Sequence, residues 1–522
     1  MNTPIWGWKH TGPRKGRGIH MSRQGALVLG VALLLFVAVG ASAQQGVFDS
    51  SDEKLADHEQ RLAALEEAVF GDEESTATGA GPTTTTVPKV APESPATSVV
   101  TTTTTTPEPV AQSRATPTTT TTTGAAEEKP ATSGGETHLV IESDTTINEK
   151  LVLRPGDSIE FRNGARLSFG PGGSADWQGT KTSTWSDDGR TQNLDRDILI
   201  HGEGDIMFMP GSKPGVIRFI EIDLQPKQEL AHYPLHWHHA GDSPRGTLIE
   251  GVVIKNSTNR AFVTHGSNGI TIRDSIATNT IGEAFWWDLT TREERQAGRH
   301  PSASSDIVWD HNLADGVFDT PLKNNVRLAA FTMGDGRNNV LRNSVARNVQ
   351  SNRNKDCAGF TWPEGIGSVW VFENNAAIGG NCNGIFVWQN SSGDHVISNF
   401  RAVGVGKAGI RHGAYGNNYR YIDVDVDSVV LLAGEKDSIG PRFVGGRIGD
   451  VTFLEHRLSG VVRFENVEVD SVRINNDRLG CDRFVGGDYT LIGTGLSFAD
   501  VDGTNACPGT VMNLDGESRD FG

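Results

Sequence analysis

Laid one above the other, 261-AFVTHG-266 and 284-AFWWDL-289 match at a shift of 23 residues. Each comes after a matching run, 249-IEGVVIKNS and 272-IRDSIATN. Looser copies continue in 340-VLRNSVARNV with 358-AGFTWPEG, in 370-WVFENNAAIGGNCNGIFVWQN and in 397-ISNFRAVGVGKAGIRHG. Short β-rich runs that return every 22–27 residues, with Asn and Gly at the corners, constrain the chain to a stack of similar coils. Asn and Gly tolerate the left-handed corner conformation that such coils need. The fold expected is therefore all-β, a right-handed parallel β-helix. An antiparallel sandwich is the alternative, but it gives no reason for a repeat that can be read letter by letter. The 62 glycines and the low aromatic content, 7%, agree with a turn-rich β architecture.

The repeat does not extend to the N-terminus. Residues 1–24 are basic, and the apolar run 26-ALVLGVALLLFVAVGA-41 comes after Lys9, Arg14, Lys15, Arg17 and Arg23. Residues 25–43 read either as a signal peptide cleaved after Ala43 or as an uncleaved membrane anchor with the N-terminus inside. Both readings export the rest of the chain, to the cell surface or into the medium. Within 51–70, Leu55, Leu62, Leu65 and Val69 fall at near-heptad positions, which predicts a short amphipathic helix able to join copies as a coiled coil. Residues 71–135 hold 101-TTTTTTPEP and 117-PTTTTTTG, a disordered Thr/Pro-rich stalk that cannot bury a core. The folded part is divided into a β-rich beginning, 136–232, and β-helix repeats, 233–515.

Charge and cysteine content narrow the function. The chain carries 47 Lys+Arg against 64 Asp+Glu, a formal charge of −17, and most of the excess lies after residue 137. This excludes nucleic acid as the expected partner, since phosphate binding needs basic patches. It also weighs against a polyanionic sugar unless a local basic patch or a bound cation intervenes. Arg245, Arg260 and 292-REERQAGRH-300 are candidate sources of such charge. In an exported chain the four cysteines are disulfide candidates. Of three connectivities the simplest joins Cys357 to Cys382 and Cys481 to Cys507, because each spacing is about one coil.

Imidazoles concentrate in one place. The stretch 232-HYPLHWHHAGD-242 holds four of the 15 histidines. In a strand, alternate residues share a face, so Leu235, Trp237, Phe262, Thr264, Phe285 and Trp287 are expected to point inward, and His236, His238, Val263, His265, Trp286 and Asp288 outward. His238, His265 and Asp288 then form a column on successive coils, about 4.8 Å apart per rung. Two chemistries fit. His236, His238 and His265 can bind a divalent transition metal, with Asp288 or Asp242 as an oxygen ligand. Alternatively, His238, His265, Asp288 and Asp242 supply acid and base across a glycosidic bond, with Trp286 and Trp237 near the sugar face and Arg260, Glu283 and Glu364 beside them. A solvated ladder that merely satisfies turns is the non-functional reading.

The stretches 233-YPLHWHHAGD-242, 255-KNSTNRAFVTHGSNGITIRDS-275 and 281-IGEAFWW-287 resemble the cell-migration-inducing and hyaluronan-binding protein family, which includes transmembrane protein 2 and relatives of fibrocystin. The resemblance is dense from Tyr233 to about Asp288. His236, His238, Asp242, Asn259, Arg260, His265 and Gly266 match the family's motif positions. It implies a β-helix domain on an exported or type II membrane-anchored protein and, in animal members, endo-type degradation of hyaluronan.

The reading that joins these features is a pectate-lyase-like solenoid, exported, that hydrolyses an extracellular glycosaminoglycan-like or uronate-containing polysaccharide. Two rivals stand beside it. One is a polysaccharide lyase in which calcium neutralises the uronate; the other is a non-catalytic glycan-binding adhesin displayed on a stalk.

Overall fold

The computed structural model describes residues 136–521 apart from 183–184, 288–302, 322–327, 354–355, 364–367, 389–392, 414–418, 432–439, 455–459 and 476–487. The expected signal or anchor segment 25–43, the heptad segment 51–70 and the stalk 71–135 lie outside the described residues, as do Asp288, Glu364 and Cys481. No helix of the described residues is long and apolar enough to cross a membrane.

The chain is a right-handed parallel β-helix; its middle coils contribute one strand to each of three parallel sheets, whereas Tyr419–Leu431 runs unbroken beside His395–Ser398, Arg401–Val403 and Ile410–Gly413. Sheet 1 runs upward through Ser174–Gln178, Val216–Arg218, Thr247–Glu250, Ile270–Arg273, Val308–Asp310, Asn339–Arg342, Trp370–Glu373 and His395–Ser398. Sheet 2 stacks Glu221–Leu224, Val253–Lys255, Ile276–Ile281, Leu313–Phe318 and Val345–Gln350. Sheet 3 stacks Leu235–Gly241, Phe262–Ser267, Phe285–Trp286, Ala329–Thr332 and Ala358–Thr361. Parallel pairing already joins His138–Ile141 to Ser158–Phe169 and that strand to Leu199–Phe208. The same ladders thus run through 136–232 and 233–515 alike.

The sequence builds this stack in two ways. Inward positions repeat the same side chain from rung to rung. Phe169, Phe208 and Trp237 stack at 4.6 and 4.7 Å between ring centroids, and Phe262, Phe285, Phe331 and Phe360 at 4.7, 4.6 and 5.0 Å. Offset stacking of this kind adds to the burial of apolar area. Corners are held by asparagines in left-handed conformation, among them Asn343 (φ 54°), Asn374 (φ 56°) and Asn399 (φ 50°). Their amides form a column: Asn399 donates to Asn374 at 2.9 Å, Asn374 to Asn343 at 3.1 Å, and Asn343 to Asp310 at 2.7 Å.

Cys357 and Cys382 sit on adjacent rungs with Cα atoms 5.1 Å apart and are disulfide-bonded, as the one-coil spacing predicts. Cys507 is also disulfide-bonded. At the C-terminal end Val511–Leu514 pairs with Glu517–Asp520 in antiparallel fashion, which covers the outer edge of Val511–Leu514.

Candidate functional site

The register of sheet 3 is the one that alternation predicts. Leu235 lies beside Phe262, His236 beside Val263, Trp237 beside Thr264 and His238 beside His265, while Phe262 and Val263 lie beside Phe285 and Trp286. Leu235, Trp237, Phe262, Phe285 and Trp287 belong to the interior core. Tyr233, Val263 and Trp286 form a separate apolar cluster on the outside of the wall.

A β-bulge then shapes the outer face. After the His238–His265 pair the register shifts, and Ser267 pairs with Gly241, so that His239 and Ala240 oppose Gly266 alone. His239 (φ 48°) and Gly266 (φ 55°) take left-handed conformations there, and the Ala240 amide donates to the Ser267 hydroxyl at 3.1 Å. Strict alternation would turn His239 away from His265. The bulge instead brings their rings to 4.1 Å between centroids.

Three imidazoles converge on this face. One ring nitrogen from each of His236, His238 and His265 can be chosen so that all three lie within 4.8 Å of one another. The ring centroids are 5.0 Å apart for His236 and His238, 5.2 Å for His238 and His265, and 6.0 Å for His236 and His265. His236 is 1% exposed, covered by the edge of the Tyr233 ring at 4.9 Å. Neither of its ring nitrogens makes a hydrogen bond of ordinary geometry. Burial, then the neighbouring His238 and His265, hold its basicity well below the usual imidazole range, so its ring is neutral.

Beside the cluster lies a buried ion pair. Arg260 donates through Nε to Glu283 at 2.6 Å and through Nη1 to the Tyr233 hydroxyl at 2.9 Å. Its guanidinium lies 4.2 Å from the Trp286 ring centroid. Burial opposes the charge on Arg260, but Glu283 and Tyr233 outweigh it and raise its basicity. Asn259 supports the pair by accepting from the Arg260 amide at 2.9 Å and donating to the carbonyls of Lys227 and Glu229 at 3.1 and 2.8 Å.

Several sequence-predicted ligand contacts are therefore corrected. Trp237 is fully buried and stacked on Phe208, because its strand parity points it at the helix axis. Arg260 and Glu283, 5% and 1% exposed, satisfy one another rather than facing a ligand. Trp286 is 7% exposed, and Arg260 lies over its ring. Asp242 is exposed just past the bulge, where it accepts from Arg245 at 2.8 Å and Asn268 at 3.0 Å; those two hydrogen bonds lower its pKa.

The structure adds residues that spacing did not reveal. Asp205 is fully buried and accepts from Arg166 Nε at 2.6 Å and bonds His232 Nδ1 at 2.7 Å. Arg166 also donates to the Ala231 carbonyl at 2.7 Å. This network anchors the turn that leads into the histidine strand. It lies on two earlier coils, outside the lettered repeat, and neither of the two acids in 201-HGEGDIMF-208 stood out in the sequence.

The segment that carries this geometry can be compared with known proteins. Residues 202–294 match the CEMIP β-helix family. The CEMIP-like segment includes all three histidines and the Arg260–Glu283 pair. Cell surface hyaluronidase CEMIP2 of Homo sapiens is 30% identical over 163 residues, covering 27% of this chain and 12% of that protein. Cell migration-inducing and hyaluronan-binding protein of Mus musculus is 32% identical over 103 residues, 19% of this chain and 8% of that one. Fibrocystin-L of Mus musculus is 25% identical over 154 residues, 28% and 3% respectively. The chain thus spans a small part of the length of the relatives it matches. Among solved structures, the catalytic domain of Agl-KA aligns with 69% of this chain and 63% of its own at 12% identity and a TM-score of 0.27. The A-module of mannuronan C-5 epimerase AlgE4 from Azotobacter vinelandii aligns with 73% and 88% at 12% identity and a TM-score of 0.27.

Proposed function

We propose that the chain is an exported protein, secreted or held at the cell surface, that cleaves an extracellular polysaccharide at a transition-metal site formed by His236, His238 and His265. The observation that carries this reading is the convergence of three ring nitrogens within 4.8 Å, one of them on a buried imidazole that lacks an ordinary hydrogen-bond partner. A buried polar group without a partner is costly, and a metal ion is the partner that three converging imidazole nitrogens suit. The donor set favours a zinc-like ion over calcium, which prefers oxygen. An ion held by these three residues would supply Lewis-acid activation of water or of a substrate oxygen.

The protein groups divide the remaining work. The Tyr233 ring shields His236 from competing water, the Arg260–Glu283 pair fixes Tyr233 and Trp286, and the bulge turns His239 to the rim. Glycan as substrate is supported by the relatives named for hyaluronidase activity and hyaluronan binding. A metal-based mechanism also needs no pair of opposed carboxylates, and among the described candidates Asp242 is bound by Arg245 and Glu283 by Arg260.

The test is metal analysis of the full chain, followed by incubation with hyaluronan, chondroitin, pectate and alginate. Stoichiometric metal, and new reducing ends that vanish with a chelator and with His265→Ala, are expected. An unsaturated product would replace hydrolysis by a lyase reaction. Absence of both metal and cleavage would overturn the proposal. Stoichiometric metal with glycan binding but no turnover would make the chain a binding module.

A further inference from the structure

The histidine site occupies sheet 3, whereas the outer face of sheet 1 carries a pattern that the site does not use. On six successive rungs Arg218, Glu250, Arg273, Asp310, Arg342 and Glu373 lie in register, a strict alternation of sign. Two residues earlier on the same strands, Val216, Leu248, Thr271, Val308, Val340 and Val371 form a second column. Bridges within the chain account for the charges: Arg218–Glu250 at 2.8 Å, Arg273–Glu250 at 2.5 Å and Arg342–Asp310 at 2.8 Å. They do not account for the aliphatic column beside them. It belongs to none of the apolar clusters of the described residues, and Val371 is 50% exposed. A column of Val and Leu facing outward, interrupted only by Thr271, is a mark of an interaction surface.

An alternating column of even length has a geometric property that names its partner. Reversed end to end, it meets itself with every positive group opposite a negative one. A twofold axis in the interface, parallel to the strands and midway between Ile270–Arg273 and Val308–Asp310, performs that reversal. It sets Arg218 opposite the partner's Glu373, Glu250 opposite the partner's Arg342, and Arg273 opposite the partner's Asp310. The same rotation lays Val216 on the partner's Val371, Leu248 on the partner's Val340 and Thr271 on the partner's Val308. A slip of one rung makes every charged contact like-signed, so the pattern selects its own register.

We propose that the outer face of sheet 1 is an isologous interface between two copies of this chain, with their β-helices antiparallel. Six rungs of about 4.8 Å give a strip roughly 25 Å long, at the small end of interfaces that hold. The dimer is accordingly a reversible one. This inference is independent of the histidine site and of what that site does.

Sedimentation of the full chain over a range of concentrations, at low and high salt, tests it. A monomer–dimer equilibrium that weakens with salt is expected. Arg218→Glu places two like-charge contacts in each dimer and should weaken association about tenfold or more. Adding Glu373→Arg restores the contacts across the interface while creating like-charge neighbours within each chain, the introduced glutamate beside Glu250 at one end and the introduced arginine beside Arg342 at the other. Recovery of the dimer in that double variant is therefore specific to the antiparallel pairing, and circular dichroism of both variants shows that they remain folded. A wild-type chain that is monomeric throughout overturns the proposal. So does an oligomer that Arg218→Glu leaves unchanged, or a double variant that stays dissociated.

Discussion

Among the described residues imidazoles are buried in two places, and the contrast between them separates a candidate site from packing. His236, with His238 and His265, lies on the outer side of the sheet 3 wall. His395 and His412 lie on the inner side, in the later coils: His412 pairs in register with the core residues Val387 and Leu431, and His395 with Tyr419. The inner histidines are 0% and 2% exposed. Aromatic neighbours surround them, with His395 stacked on Tyr419 at 4.5 Å and His412 bonded through Nδ1 to the Tyr421 hydroxyl at 2.8 Å. Depth of burial therefore does not distinguish His236 from the inner pair. Strand parity does, since a solute can approach the outer wall but not the filled axis of the solenoid.

The largest expected effect tests what organises the outer wall. Glu283→Ala leaves Arg260 charged, buried and unpaired, and should lower the unfolding free energy by about 3–5 kcal/mol in denaturant titration. A loss under about 1 kcal/mol would mean that the pair is not what holds the outer face, and that this face resembles the inner cluster in resting on packing. Next in size is the metal response. His238→Ala should weaken zinc binding at least about a hundredfold, read by competition with a chromogenic chelator, whereas His412→Phe should leave it unchanged. Equal effects of the two substitutions would erase the distinction between the walls.

The inner cluster should declare itself through acid. Burial pushes the His412 imidazole down to about 3, so it is neutral in the folded chain and takes up a proton when the chain unfolds. A base with a depressed folded pKa contributes stability that is fully present above its unfolded value, about 6.5, and that falls as the pH drops below it. The slope is about 1.4 kcal/mol per pH unit for one group. His412→Phe should remove that slope from stability measured between pH 6.5 and 4.5. An unchanged slope would mean that other groups carry the acid sensitivity.

The sequence revealed the parts of this structure that depend on period and parity. A one-coil shift placed His238 beside His265 and Cys357 beside Cys382, and alternation sent Trp237 and Trp287 inward, because a β-helix repeats both regularities over many rungs. Features that break the period were not legible. The bulge at His239 and Ala240 depends on one extra residue in one strand, and its effect on His239 appears only when the neighbouring rung is in register. The Arg260–Glu283 pair was hidden for another reason: a charged residue on an outer face reads as solvated unless a covering side chain is known, and here Tyr233 and Trp286 come from two different coils. Asp205 and Arg166 were missed because they belong to coils whose letters do not resemble the repeat.

The smallest expected effect concerns the carboxylate nearest the bulge, and it sharpens the comparison from the solvent side. Asp242 matches the family motif beside the histidines, yet it is exposed and its Oδ1 accepts from both Arg245 and Asn268. Its lowered pKa comes from those two hydrogen bonds, which a surface corner supplies without any catalytic demand. Asp242→Asn keeps the shape of the corner and removes only the charge, so metal content, melting temperature and rate of polysaccharide cleavage should all stay close to wild type. If cleavage is lost while metal content is retained, Asp242 takes part in the reaction. The outer wall would then be a site of mixed imidazole and carboxylate chemistry, further removed from the packed histidines of the inner wall than the three converging imidazoles alone make it.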